Sequence, residues 1–326
     1  MRRLVMGGAL GVVAFSAGCA ALGGDDGGSA NLPDRGIGGW VRVVDPESPW
    51  VIGDLTAPRM AGPSALVVDA RVVMILQRES GETATLVRVE GGLDGTSFGA
   101  PEALVPPISG REPSLGRASD GTFWLAYEGD DGLAFARSSD ARTCSGVASS
   151  GVDALAEAPS MVIEGTEVHL WSARDGRLFH QRATLGETLA FDAAVEVFAP
   201  GEDCVDRNGE AAPCWDAGGI VDAEVRLATS PTGRKVYRMF YTGSGGRVAR
   251  LGFAASFDGV TWSRYAFNPV VSPDFEASSA TAIFVDPAAA AGSDSVYQIF
   301  WAEARTPSIG GIAHATSPAD APADRW

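Results

Sequence analysis

One ten-residue pattern recurs five times without gaps, and it constrains the fold more than any other feature of the chain. It reads Arg71-VVMILQRE-Ser80, Gly121-TFWLAYEG-Asp130, Thr166-EVHLWSAR-Asp175, Lys235-VYRMFYTG-Ser244 and Ser295-VYQIFWAE-Ala304. The third column is Val73, Phe123, Val168, Tyr237 and Tyr297, and the fifth is Ile75, Leu125, Leu170, Met239 and Ile299. Alternate residues of a strand share a face, so these columns define one apolar face. The sixth column, on the other face, is Leu76, Ala126, Trp171, Phe240 and Phe300. A strand apolar on both faces belongs to a sheet covered on both sides.

Each repeat is followed by a second strand candidate: Thr85-LVRV, Gly132-LAFAR, Arg177-LFHQR, Arg250-LGFAAS and Gly311-IAHATS. A further candidate precedes it: Ser64-ALVV, Ser114-LGR, Ser160-MVI, Glu224-VRLA and Thr281-AIFV. Turn signals such as Leu93-Asp94-Gly95 and Phe257-Asp258-Gly259 close several units. Three or four strands per unit, in five units of about 58 residues, predict an all-β fold, a five-bladed β-propeller over residues 39–326. The segment Gly39-Trp40-Val41-Arg42-Val43-Val44 has no unit of its own and is expected to pair with the last blade. A β-sandwich with a repeated hairpin is the alternative, but its strands would have one wet face. Composition agrees with short strands and turns: 45% hydrophobic residues, 41 Gly and 19 Pro against 20% charged.

The formal charge is −16, and Lys235 is the only lysine. A nucleic-acid binder needs the opposite balance, and a phosphate-binding loop needs a Gly-Lys pair that is absent, so no nucleic-acid partner is expected. His169, His180 and His314 lie on separate strand candidates, unclustered, so neither a metal nor any other cofactor is expected.

The segments Tyr237-RMFYTG, Leu251-GFAASFDGVTW and Asn268-Pro269-Val270 resemble the five-bladed propeller glycoside hydrolases, the superfamily of families 43, 32, 68 and 130. The resemblance spans most of residues 60–326. It implies acids at the start of the innermost strand of the first three blades. Arg111-Glu112-Pro113 is similar to the Arg-Asp-Pro of family 32, and Glu157-Ala158-Pro159 to a Glu-Cys-Pro whose Glu is the general acid. In blade one the match fails: Ala61-Gly62-Pro63 has glycine where the family has the attacking or water-activating Asp. Glycoside hydrolysis needs two carboxyl groups, and Asp45, Asp54, Asp222 and Glu224 are the remaining candidates for the second. Glu157 and Glu112 are thus the candidate catalytic residues. Arg111, Asp222, Glu224, Tyr127, Tyr241 and Trp301 are the candidate ligand-binding residues, the aromatics as stacking platforms or as core.

The chain begins with Arg2-Arg3, an apolar run from Leu4 to Phe15, and Ser16-Ala17-Gly18-Cys19. That is a secretion signal over 1–18, too short to span a bilayer, and it resembles the bacterial lipoprotein signal in which the cysteine is acylated. Residues 19–38, rich in Gly, Asp and Ser, read as a flexible linker after lipidated Cys19. Acyl chains at Cys19 would anchor an exported protein in the cell envelope, at the outer membrane rather than the inner because Ala20 is not Asp. Cys204 and Cys214 enclose a turn-rich insert and are expected to form a disulfide, which leaves Cys144 unpaired. Asp206, Asn208 and Gly209 have calcium-loop spacing, but Cys204 and Trp215 occupy the first and twelfth positions, so no calcium is expected.

The resulting expectation is a monomeric, lipid-anchored propeller that binds a glycan without hydrolysing it, because Gly62 replaces an acid. An active hydrolase with Glu157 as acid and Glu112 as stabiliser, or a protein-interaction scaffold, are the alternatives. A funnel of convergent acids would favour sugar and an apolar top face would favour protein.

Overall fold

The computed structural model describes residues 41–43, 50–53, 58–202, 204–205, 211–229, 234–245, 249–265, 268–270, 276–284, 295–306 and 309–318. The signal segment 1–18, Cys19, the linker, Asp45, Asp54 and the Asp206-Asn208-Gly209 stretch lie outside the described residues.

After β1 (Val41–Val43), the first sheet holds β2 (Met60–Val68), β3 (Arg71–Ser80), β4 (Thr83–Gly91) and β5 (Glu102–Ala103). The second begins with β6 (Arg111–Arg117), β7 (Phe123–Gly129), β8 (Gly132–Ser138) and β9 (Cys144–Ser150). The third is β10 (Glu157–Glu164), β11 (Glu167–Arg174), β12 (Arg177–Thr184) and β14 (Val195–Phe198); between its last two strands, β13 (Thr188–Ala190) crosses back to lie parallel beside β9. A ribbon of β15 (Cys204–Val205) and β16 (Ala211–Ala212) precedes the fourth sheet: β17 (Gly219–Thr229), β18 (Lys235–Ser244), β19 (Arg250–Ser256) and β20 (Ser263–Arg264). The last sheet joins β21 (Glu276–Phe284), β22 (Ser295–Thr306) and β23 (Ile309–Pro318) to β1, which pairs antiparallel with β23 through Val41↔Thr316 and Val43↔His314. The N-terminal strand therefore completes the final sheet, as expected from its lack of a unit of its own.

The fold is an all-β propeller. The five ten-residue repeats become β3, β7, β11, β18 and β22, the second strand of each sheet. The expectation of three or four strands in every unit is met by four sheets; the sheet that begins at Arg111 holds five, because β13 extends it. The first strands β2, β6, β10, β17 and β21 each contact the next, and β21 contacts β2, so they close a ring.

The two-faced apolar pattern acquires its reason here. In β3, Val73 and Ile75 pack with Leu115 and Leu125 of the second sheet, while Met74 and Leu76 pack with Phe300 and Ile312 of the last. In β11, Val168 and Leu170 join Trp124 of the second sheet, and Trp171 joins Met239 of the fourth. In β18, Phe240 faces Ile299 and Trp301 of the last sheet. Each second strand thus fills two inter-sheet cores at once, which a two-layer sandwich would not require.

Turns are capped as their residues suggest. The Asp258 carboxylate accepts the backbone N–H groups of Val260 and Thr261 at 2.8 and 2.7 Å, and the Gly259 carbonyl that follows accepts Trp171 Nε1 of the neighbouring sheet at 2.9 Å. Cys204 and Cys214 form the expected disulfide, and Cys144 is a half-buried free thiol. The disulfide ties the ribbon to the segment where Trp215 packs on Tyr241. Replacing both cysteines with serine is expected to cost roughly 2 kcal/mol and lower the melting temperature by about 5 °C, read by calorimetry. An unchanged melting curve would show that the ribbon is energetically detached.

Candidate functional site

The first three inner strands start the same way. Residues Gly62, Glu112 and Ala158 have φ of 55°, 42° and 44°, each at a register break of its strand, and each is followed by Pro and then Ser. A left-handed residue at the break turns the strand so that the serine points to the ring axis. Ser64, Ser114 and Ser160 are fully buried. Each accepts the backbone N–H of the next inner strand, from Leu115, Met161 and Val225 at 2.8, 2.8 and 2.7 Å. Each also donates its hydroxyl to one carboxylate, Glu224, at 3.0, 3.4 and 3.1 Å. The Arg226 guanidinium pairs with the same carboxylate and donates to Ser64 Oγ at 3.0 Å and the Leu115 carbonyl at 3.1 Å.

Glu224 is therefore the axial tie of four inner strands. Burial pushes its carboxyl up from the ordinary value, against Arg226 and the three hydroxyls that pull it down. With its oxygens taken by serine and arginine donors, it has no geometry for accepting a ligand, which corrects its expected place among the ligand-binding residues and candidate acids. Asp222, two residues before it, is also buried and accepts the Thr242 hydroxyl at 2.8 Å. Above this tie the axis holds a cavity of about 20 Å3, lined by Gly62, Glu112, Ala158, Asp222 and Glu224 among others. That volume accommodates a water and not a sugar ring.

At the mouth stand Arg111, Glu112, Glu157 and a carboxylate the sequence did not single out, Glu128. Glu112 is half-buried, and its backbone N–H donates to Gln77 Oε1 at 2.8 Å. Glu157 is exposed at the start of β10. Glu128, on β7 opposite Arg111, is half-buried. Burial and the Glu157 charge push its carboxyl up, while the Ala158 N–H and Arg111 draw it down. Its sequence signal was the eighth column of the repeat, where the other strands have Arg78, Ala173, Thr242 and Ala302.

Gly62 stands where the resemblance implies an acid, and its surroundings are tight. A Cβ built there would lie 3.1 Å from Gln77 Oε1, 3.1 Å from the Pro113 ring and 3.3 Å from Glu112 Oε2, all tighter than ordinary contact. A side chain there would require those neighbours to shift by a few tenths of an ångström, and the φ of 55° would strain it whatever the space.

The aromatic candidates divide. Tyr241 and Trp301 are 0% and 1% exposed and belong to inter-sheet cores, Tyr241 against Phe198 and Trp215 with ring centroids 4.9 and 5.5 Å apart. Neither presents a face to a ligand: of the two roles the sequence leaves open, stacking platform or core, burial selects core for both and removes them from the ligand-binding candidates. Tyr127 is half-buried in the core between the first two sheets. The histidines are also redistributed. His169 and His180, expected to be unclustered, meet across β11 and β12 with Nδ1 and Nε2 3.1 Å apart, stacked beside Trp171. Among the described residues no three His, Cys, Asp or Glu side chains group as a metal site.

No family model and no curated protein matches the chain. Solved structures do. A glycosyl hydrolase from Bacteroides ovatus superposes with a TM-score of 0.62 at 13% identity, covering 89% of this chain and 98% of that one. The catalytic domain of the Coprinopsis cinerea GH62 α-L-arabinofuranosidase gives 0.60 at 12%, covering 85% and 96%. The fold is that of the glycoside-hydrolase propellers. A structure described under the GH130 family of mannoside phosphorylases gives 0.58 at 13%, covering 86% and 95%. At such identities the likeness is one of fold, and fold leaves chemistry to the site.

Proposed function

We propose that this is a lipid-anchored, cell-envelope propeller of five blades that holds a glycan at its axial mouth without cleaving it. The observation that carries the reading is Gly62: the position where the resemblance implies an acid has none, and a side chain there would crowd Gln77, Pro113 and Glu112 at a strained φ. The small axial cavity agrees, since a sugar ring cannot descend to the level where two carboxyls would flank its bond. Arg111, Glu112, Glu128 and Glu157 would instead hydrogen-bond sugar hydroxyls from above. A mouth of charged groups favours sugar over an apolar protein partner. The ring of five contacting inner strands supports the blade number. The signal-like segment ending at Cys19 supports the anchor, with Ala20 favouring the outer membrane.

A hydrolase is the second reading, because burial and the charge of Glu157 raise the Glu128 carboxyl above its ordinary value. The full chain offered plant and bacterial polysaccharides is expected to bind at least one of them, and Glu157→Gln to weaken that binding by about tenfold, with no sugar released. Turnover by the wild type that Glu157→Gln abolishes would replace binding with catalysis.

A further inference from the structure

We propose a second saccharide site at the opposite end of the strands from the axial mouth, in the cleft between the second and third sheets. This cleft measures about 670 Å3, within the span of small-ligand sites, against about 20 Å3 on the axis. The register places Trp124 of β7, Arg137 of β8 and Ser145 of β9 side by side on one face. Trp124 is 5% exposed in the core between these sheets, so the indole forms a fixed part of the cleft floor and offers a ligand only a small area, while the polar side chains around it supply the contacts. The third sheet supplies the facing wall. Glu187, in the turn after β12, accepts Arg137 through both oxygens, at 3.0 and 3.0 Å.

The chemistry of the lining selects a ligand class. Arg137 is neutralised by Glu187, and the Asp120 carboxylate, which accepts the Thr122 N–H at 2.9 Å, leaves the cleft slightly negative. Turn N–H donors also hold the Asp120 carboxyl below its usual value. Phosphates and other anions are disfavoured there. Carboxylate acceptors, guanidinium donors and the two-way hydroxyls of Ser139 and Ser145 surround an indole. A neutral sugar matches that arrangement, since its hydroxyls donate and accept while its C–H faces are apolar. None of the exposed large apolar side chains of the described residues lines the cleft, which argues against a protein loop as occupant.

The test is titration calorimetry of the full chain with cellotriose, maltotriose and xylotriose, and with trigalacturonate as the anionic control. Ser145→Tyr projects a ring into the cleft from an exposed strand position that tolerates aromatics. Asp120→Asn keeps an oxygen for the Thr122 N–H while removing the charge. At least one neutral trisaccharide is expected to bind, with affinity reduced tenfold or more by Ser145→Tyr and severalfold by Asp120→Asn, and this Ser145→Tyr-sensitive binding is expected to persist when Glu157→Gln weakens the mouth. Far-UV circular dichroism checks that each variant folds. Failure of every neutral trisaccharide to bind, binding of trigalacturonate alone, or indifference to Ser145→Tyr would overturn the site. Loss on Glu157→Gln alone would also overturn it while leaving the mouth reading intact.

Discussion

Glu224→Ala is expected to cost about 3–5 kcal/mol, a large fraction of the stability of an ordinary domain. The reason is what remains behind. Arg226 keeps its charge in a half-buried site, and Ser64, Ser114 and Ser160 lose the acceptor on which three strands converge. Urea unfolding gives the value directly. The double variant Glu224→Leu with Arg226→Met removes both charges and is expected to recover much of the loss, because a buried ion pair replaced as a unit is often nearly neutral. A single variant within about 1 kcal/mol of wild type would mean that the ring holds without its axial tie.

The second large effect is a loss of stability on mild acidification. Burial lowers His180 and His314 from 6.5 to about 4 each, with His169 and Arg182 adding to the effect at His180. Asp192 and Asp258 oppose it at His180, as does Asp94 at His314. A histidine held neutral by the fold binds its proton more readily when unfolded. Stability contributed by each is therefore complete above pH 6.5 and falls by about 1.4 kcal/mol per unit down to pH 4, on the order of 3 kcal/mol per histidine. Glu128 and Glu224, raised by burial, act in the opposite sense. Asp258, lowered to about 2, contributes a loss only below the ordinary aspartate value.

Denaturant midpoints at pH 7 and pH 5 measure the slope, and His314→Phe identifies part of its source. The His314 ring stacks on Phe300 with centroids 4.5 Å apart, and neither of its buried nitrogens has a hydrogen-bond partner among the described residues. Phenylalanine is expected to keep the stack, raise stability at pH 7 by about 1–2 kcal/mol and flatten the acid slope. A midpoint that stays level between pH 7 and pH 5 in the wild type would sink the account.

Several features are legible in the sequence alone. The columns of Val73, Ile75 and Leu76, repeated through Phe300, required strands covered on both faces, and each does fill two cores. Gly39 to Val44 had no unit, and β1 indeed pairs with β23. The turn-rich insert between Cys204 and Cys214 is closed by their disulfide. These are local or periodic properties, carried by residues a few positions apart.

The site was not legible in the same way. Tyr241 and Trp301 occupy the same column as Tyr127, yet two are core and one is half-buried, because the volume beside each depends on the neighbouring sheet. Glu128 gained its meaning only when β7 brought it beside Arg111 and β10 brought Glu157 to the same mouth. His169 and His180 are eleven residues apart, and strand pairing alone makes them stacked neighbours.

The sequence by itself determined the strands, their order, the covered faces and the absence of an acid at Gly62, because alternation and residue identity are properties of the chain. Only the tertiary structure decided that Glu224 is an axial tie, that a side chain at Gly62 would be crowded and strained, and that Trp124, Arg137 and Glu187 wall a cleft. Those facts belong to groups from different sheets, and ring closure, which sets their distances, is not encoded in any one repeat.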